Sequence, residues 1–220
     1  GARMMHNYIR VGGVNEELPD GFEGRMETLL DQLERGIEEC DELLSNNEMF
    51  LARTKGIGVI DAKDAVEFGV SGPALRATGL LEDVRISEPY SIYDRFDFGI
   101  PVGTYGDCWD RYYVRVEEMR QSLKIIRQAM EQMEPGPIMA SVRRIARPPK
   151  GEVYQRTESP RGDFGVYLVS AGADKPYRVK ARTPSFVNLQ ALQHMLRDAY
   201  VADAVVILGS IDIVLGEVDR

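Results

Sequence analysis

Apolar residues recur at steps of three and four over residues 21–45. Phe22, Met26, Leu29, Leu33, Ile37, Cys40 and Leu44 form one stripe, which predicts an amphipathic helix. Glu34, Glu38, Glu39, Asp41 and Glu42 fall largely off that stripe and read as its wet face; a cation site is the alternative. The same spacing returns over residues 107–133, where Tyr112, Val116, Met119, Leu123, Ile126, Met130 and Met133 predict a second long helix. Asp107 suits its N-cap, and Pro135-Gly136-Pro137 ends it. Its methionines read as core, with an adaptable binding groove as the alternative. A third helix is expected from about Ser185, with Phe186, Leu189, Leu192, Leu196 and Ala199 as its stripe and His194 beside it.

Between the second and third helices the period falls to two. Residues 164–170 and 177–182 read as strands joined by a turn at 171–174, a small antiparallel hairpin. In the second strand Arg178, Lys180 and Arg182 make a basic row, either an edge-protecting charge row or a surface for an acidic partner. The stretch 142–160 reads as an exposed linker, with Arg143, Arg144, Arg147 and Lys150 around Pro148-Pro149. Residues 51–101 are mixed, with short helices near 61–68 and 73–78. The pattern as a whole is α+β and mainly α.

Composition narrows the partners. The net charge of −8 argues against free nucleic-acid binding, which needs a basic face. Two cysteines 68 positions apart, Cys40 and Cys108, give neither a disulfide framework nor a metal-binding pair. No apolar run approaches the roughly 18 residues that a membrane span takes. The best candidate, residues 204–208, has the length of a buried core segment. Gly1 stands where an initiator Met would be, which suggests a piece of something longer.

No self-contained active site is visible. Gly56-Ile57-Gly58 lacks the third glycine and the following helix of a dinucleotide loop, and His6 and His194 stand in no zinc motif. The chain ends on an apolar run with one carboxylate, Asp212, and then on charges; such an end is expected to be docked. An aspartate after Gly209-Ser210 is also a natural cap or turn residue.

Five segments resemble one component of bacterial NADH-quinone oxidoreductase (respiratory complex I), the one related to the nickel–iron hydrogenase large subunit. They fall in that family's order and run from end to end of the chain. They are Arg3-Met4-Met5-His6-Asn7-Tyr8-Ile9-Arg10-Val11-Gly12-Gly13-Val14; Ser71-Gly72-Pro73-Ala74-Leu75-Arg76-Ala77-Thr78-Gly79; and Gly106-Asp107-Cys108-Trp109-Asp110-Arg111-Tyr112 running on through Val116 to Leu123. Pro160-Arg161-Gly162-Asp163-Phe164-Gly165-Val166 through Ser170, and Asp212-Ile213-Val214-Leu215-Gly216-Glu217-Val218-Asp219-Arg220, complete the set.

The resemblance implies a helical core like that of the nickel–iron hydrogenase large subunit, with a small antiparallel β piece. Residues 1–220 would be the C-terminal part of that domain. The absent N-terminal half would hold the histidine and tyrosine that bind the quinone head group. It implies a peripheral-arm subunit on the cytoplasmic side of the bacterial membrane, packed against other complex I subunits, above all the one carrying the terminal iron–sulfur cluster. Quinone would be the substrate. No cofactor would be bound by this chain, since the clusters lie in partner subunits. Asp212 and Val214 match positions lining the inner end of the quinone cavity, Arg10 matches an arginine near the cluster, and Arg220 the terminal arginine. A cation beside the cluster would favour its reduced form. Many members carry a histidine where this chain has Met5, with His6 one place on, a step that turns the side chain elsewhere. A membrane-bound hydrogenase subunit is the first alternative. The tail has no cysteines to hold nickel, which argues against it. A non-catalytic assembly scaffold is the second.

Overall fold

A computed structural model describes residues 6–142 and 147–219. Arg3, Met4, Met5, Arg143, Arg144 and Arg220 lie outside the described residues.

The first long helix forms as the periodicity predicts: α1 spans Phe22–Leu44. Strands β1 (Ile9–Arg10) and β2 (Gly13–Val14) precede it as a short antiparallel ladder. The second long helix, α6, runs Cys108–Glu131, and the Asp107 carboxylate accepts the Asp110 N–H as its cap. The two helices meet through Leu30, Ile37, Val116 and Leu123, with Met26, Tyr112, Ile126 and Met130 beside them. Leu30 and Ile37 are seven apart, as are Val116 and Leu123, the spacing of a narrow two-helix seam. The expected stripes were broader than this seam. Leu29, Leu33 and Met119 are each more than 40% exposed, because one neighbouring helix covers only one edge of each stripe.

Between them lie α2 (Glu48–Thr54), α3 (Ala62–Glu67), α4 (Pro73–Arg76) and α5 (Val84–Ser87). Helices α3 and α4 fall where expected. Helices α2 and α5 were not expected, although each opens on a side-chain cap: Asn47 accepts from Met49 and Phe50, and Asp83 from Arg85.

The expected hairpin is part of a three-stranded antiparallel sheet in the order β3 (Gly151–Ser159), β4 (Gly162–Ser170), β5 (Arg178–Arg182). The stretch read as a linker at 142–160 is therefore a strand from Gly151 to Ser159. Pro160 and Arg161 make the two-residue turn that pairs Ser159 with Gly162. Gly72, at φ +67, opens α4 against this turn. A Cβ there would stand 2.4 Å from Gly162 Cα, so only glycine allows the approach.

The third helix does not run on as expected. It divides into α7 (Pro184–Gln190) and α8 (Leu192–Met195), and the chain turns at Asp198, which takes φ 59. Helix α9 (Ala204–Ile211) follows, then the short α10 (Leu215–Val218). These turns bring Ala191, Met195, Ile207 and Ile211 into one core with Ile60, Ala65, Val70, Ala74, Leu75 and Cys108. One straight helix would have carried them apart. Only one side of α9 enters that core, and Val205 is 76% exposed. The architecture is thus α+β and mainly helical, as expected. No helix among the described residues is long and apolar enough to cross a membrane.

Candidate functional site

Helix α9 ends where Asp212 takes the left-handed conformation, φ 57 and ψ 55, and donates its N–H to Gly209 O at 3.1 Å. Asp212 is therefore the turn residue that its Gly-Ser context suggests. It is also more than that, because the turn presents its carboxylate to two guanidiniums. Arg161, from the β3–β4 turn, puts Nε 3.3 Å from Asp212 Oδ2 and also donates to the Asp212 carbonyl. Arg115, from α6, puts Nε 3.9 Å from the same Oδ2 and donates through Nη2 to Ile211 O at 3.1 Å. Arg115 Nε is buried and has no hydrogen-bond partner among the described residues. Desolvation pushes the Arg115 guanidinium down to about 10, against the opposing pull of Asp212; it remains a cation at neutral pH.

Asp212 and Arg115 line a cleft of about 440 Å³ with Tyr93, Glu118, Met119 and Glu158. Arg76, only 1% exposed, forms the cleft's floor. Its Nε meets Glu118 at 2.7 Å, and its Nη1 meets Glu158 at 3.0 Å and Asp83 at 3.7 Å. Arg85 closes the far side, 2.6 Å from Asp83 and over the Phe98 ring at 4.9 Å. Burial pushes the Glu158 carboxyl up, with Arg76 pulling the other way. Burial opposes the charge on Arg76, but its three carboxylates outweigh that and raise its pKa.

Asp212 and Val214 follow each other on the tail but face different neighbours. Val214 is extended and half-buried, lies outside that cleft, and donates its N–H to Ser185 Oγ at 3.1 Å. The tail is docked, as expected: Thr183 Oγ1 donates to Glu217 O at 2.8 Å, and the Ser185 N–H to Glu217 Oε2 at 3.0 Å. Arg10 belongs elsewhere. It is exposed on β1, donates to Asn7 O at 3.2 Å, and its hairpin bonds to Ile138 and Ala140.

Arg76, Arg115, Glu118, Glu158 and Arg161 were not singled out from the sequence. A signal existed for most of them. Arg111, Arg115 and Glu118 stand at i, i+4 and i+7, one face of α6 away from its apolar stripe. Arg76 and Arg161 lie inside the family-like segments. Two other sequence features resolve as structural. His194 Nε2 lies 3.0 Å from Asp64 Oδ2, and Arg182 of the basic row is taken up by Asp163 O and Gly69 O. Among the described residues no group of three His, Cys, Asp or Glu is placed to hold a metal ion.

Comparison with known proteins gives one family. The profile described as "Respiratory-chain NADH dehydrogenase, 49 Kd subunit" matches residues 1–150 and 141–220. Bacterial proteins that carry the name of one and the same NADH-quinone oxidoreductase component are similar over the whole chain. That of Desulforamulus reducens is 51% identical over 219 residues, that of Bacillus mycoides 50% over 220, and that of Carboxydothermus hydrogenoformans 48% over 219. In each case the match covers 100% of this chain and 60% of the relative.

Proposed function

The chain belongs to the family of the respiratory-chain NADH dehydrogenase 49 Kd subunit, and from that premise we propose that it forms one wall of a quinone-reduction site. The protein would be a peripheral-arm subunit of NADH-quinone oxidoreductase on the cytoplasmic side of the membrane. Electrons reach the quinone from the terminal iron–sulfur cluster of a partner subunit, and this chain binds neither NADH nor a cluster. The observation that carries the reading is Asp212, bracketed by Arg115 and Arg161 on the wall of a cleft.

Quinone reduction takes two electrons and two protons and builds negative charge on the quinone oxygens. Fixed guanidiniums beside that oxygen lower the energy of the charged stage without reorganising. Asp212 holds Arg161 in place and sets the polarity of the wall, while Val214, outside the cleft, bears on it through the docked tail. Arg10, exposed on its hairpin, would face the cluster-bearing partner and favour the reduced cluster.

Site-directed variants in the intact complex test this. Asp212→Asn lowers quinone-reductase turnover and alters inhibitor sensitivity. Val214→Met displaces the docked tail that carries Asp212 and weakens quinone-site inhibitors by about tenfold, the scale of one lost or strained methylene contact. Arg10→Gln makes the cluster harder to reduce in a redox titration. Unchanged turnover and inhibitor affinity in both tail variants would sink the reading.

A further inference from the structure

We propose that Glu158 carries a proton for quinone reduction, delivering it through the cleft it shares with Asp212. The proposal rests on the quinone-wall reading above and names the acid that serves that site.

Charge counting leads to it. Under the cleft Arg76 and Arg85 pair with three carboxylates, Asp83, Glu118 and Glu158, and Arg115 adds a third cation beside Glu118. Asp83 has Arg85 and Glu118 has Arg115 besides a share of Arg76, whereas Arg76 is the one ion-pair partner of Glu158 among the described residues; a buried carboxylate that shares its cation is costly to keep charged. The hydrogen bonds point to the same acid. Asp83 receives the Arg85 N–H, Nε and Nη2. Glu118 receives the short Arg76 Nε bond and keeps 18% of its side chain exposed. Glu158, 6% exposed, shares Arg76 Nη1 with the Glu82 carbonyl and has only a 3.3 Å bond from the Val84 N–H on its other oxygen. It is the least compensated of the three, and burial raises its affinity for a proton.

Across the sheet Glu158 pairs with Asp163 of β4, which Arg156 and Arg182 hold, and Arg156 also holds Glu88. Helix α5 and the residues before it bring Asp83, Arg85 and the Val84 N–H. Helix α4 brings Arg76 and α6 brings Glu118. Tyr90 bonds the Glu158 backbone. Across the cleft stand Tyr93, Arg115 and Asp212.

The step balances. The quinone takes two electrons from the partner's iron–sulfur cluster. The Glu158 O–H breaks, its proton passes along water in the cleft, and an O–H forms on the reduced quinone. Glu158 is left as a carboxylate and is reprotonated from solvent. The second proton is taken up from solvent.

The test uses the complete complex. Glu158→Gln keeps the size and hydrogen bonding of the side chain but cannot release a proton. Quinone-reductase turnover should fall by about tenfold or more, while NADH oxidation by ferricyanide, which bypasses quinone, stays normal. The parent complex should lose turnover as pH rises through the pKa of Glu158, since the protonated form is the donor. Glu158→Gln should lack that alkaline decline, and Glu158→Asp should retain it at a displaced pH. An unchanged pH profile and turnover in Glu158→Gln would overturn the relay. If Glu158→Gln does not assemble, an unmoved decline in Glu158→Asp overturns it and a displaced one supports it. A negative result here alongside altered inhibitor binding in Val214→Met removes the relay and leaves the quinone wall standing.

Discussion

Arg111 has no exposed surface and holds three parts of the chain at once. It donates to Gly106 O at 2.7 Å, Gly58 O at 2.8 Å and Ser210 Oγ at 2.8 Å, with Cys108 Sγ at 3.3 Å. Burial lowers its pKa, and these acceptors together with the nearby Asp107 and Asp110 carboxylates make the charge tolerable. Arg111→Met keeps the bulk but strands the Gly58 carbonyl, while Gly106 O keeps the Ile60 N–H. It is expected to destabilise the protein by roughly 1–3 kcal/mol, seen as lost assembly or a lower thermal midpoint of the complex; a wild-type midpoint would contradict that role. Residues of this kind are the hardest to read from sequence. Arginine is mostly exposed in proteins, so Arg76 and Arg111 within helical patterns pass for wet-face residues. Their burial depends on acceptors brought from other parts of the chain, Gly58 and Glu158 among them. Asp212 was legible as a turn from Gly209-Ser210 alone. Its two arginine partners were not, because Arg161 lies 51 positions away and Arg115 almost 100.

Periodicity served the elements well where they pack along one neighbour and poorly where they turn. Helices α1 and α6 were both legible within a residue or two, because each repeats its stripe for several turns. The third helix was not, since the same stripe suits two short pieces folded around one core. Strand β3 was hidden by the prolines and basic residues before it, although Ser159-Pro160-Arg161-Gly162 carries a hairpin turn signal. The α1–α6 pair also bears ion pairs beside its apolar seam: Arg120 to Asp41 at 2.5 Å and Arg127 to Glu34 at 2.6 Å. The Ser45 hydroxyl and then Arg120 hold the Asp41 carboxyl below its ordinary range. The sign of the linkage follows: this contribution is present above the usual carboxylate pKa and disappears as pH falls through the depressed value. Arg120→Ala should therefore speed amide exchange in α1 at neutral pH by an amount worth at most about 1 kcal/mol. The difference from the parent should vanish in acid. A difference that persisted unchanged into acid would assign the effect to lost packing by the arginine stem rather than to its charge.

At the scale of the whole molecule, the tail is where the two halves of the chain meet. Helix α9 seats Ile207 and Ile211 in the core shared by α3, α4 and α6. Asp212 then bonds the β3–β4 turn, and Val214 and Glu217 bond the start of α7. The cleft exists because these contacts hold α9, the β3–β4 turn and α6 at fixed distances. Ser185 is central to that arrangement. Its hydroxyl accepts the Val214 N–H while its own N–H donates to Glu217. Ser185→Ala removes the first bond and keeps the second, and leaves the half-buried Val214 N–H without that partner. The cost is about 1–2 kcal/mol, local to residues 212–218. Such a change should raise the KM for quinone and speed exchange of the Val214 amide, with ferricyanide reduction by the complex unaffected. Glu158 lies on β3, away from that bond, so the alkaline decline in turnover should stay where it is. A Ser185→Ala complex with an unaltered quinone KM would mean that the docked tail does not shape the pocket. One with a displaced pH profile would mean that the tail and the buried acid are coupled more closely than their contacts suggest.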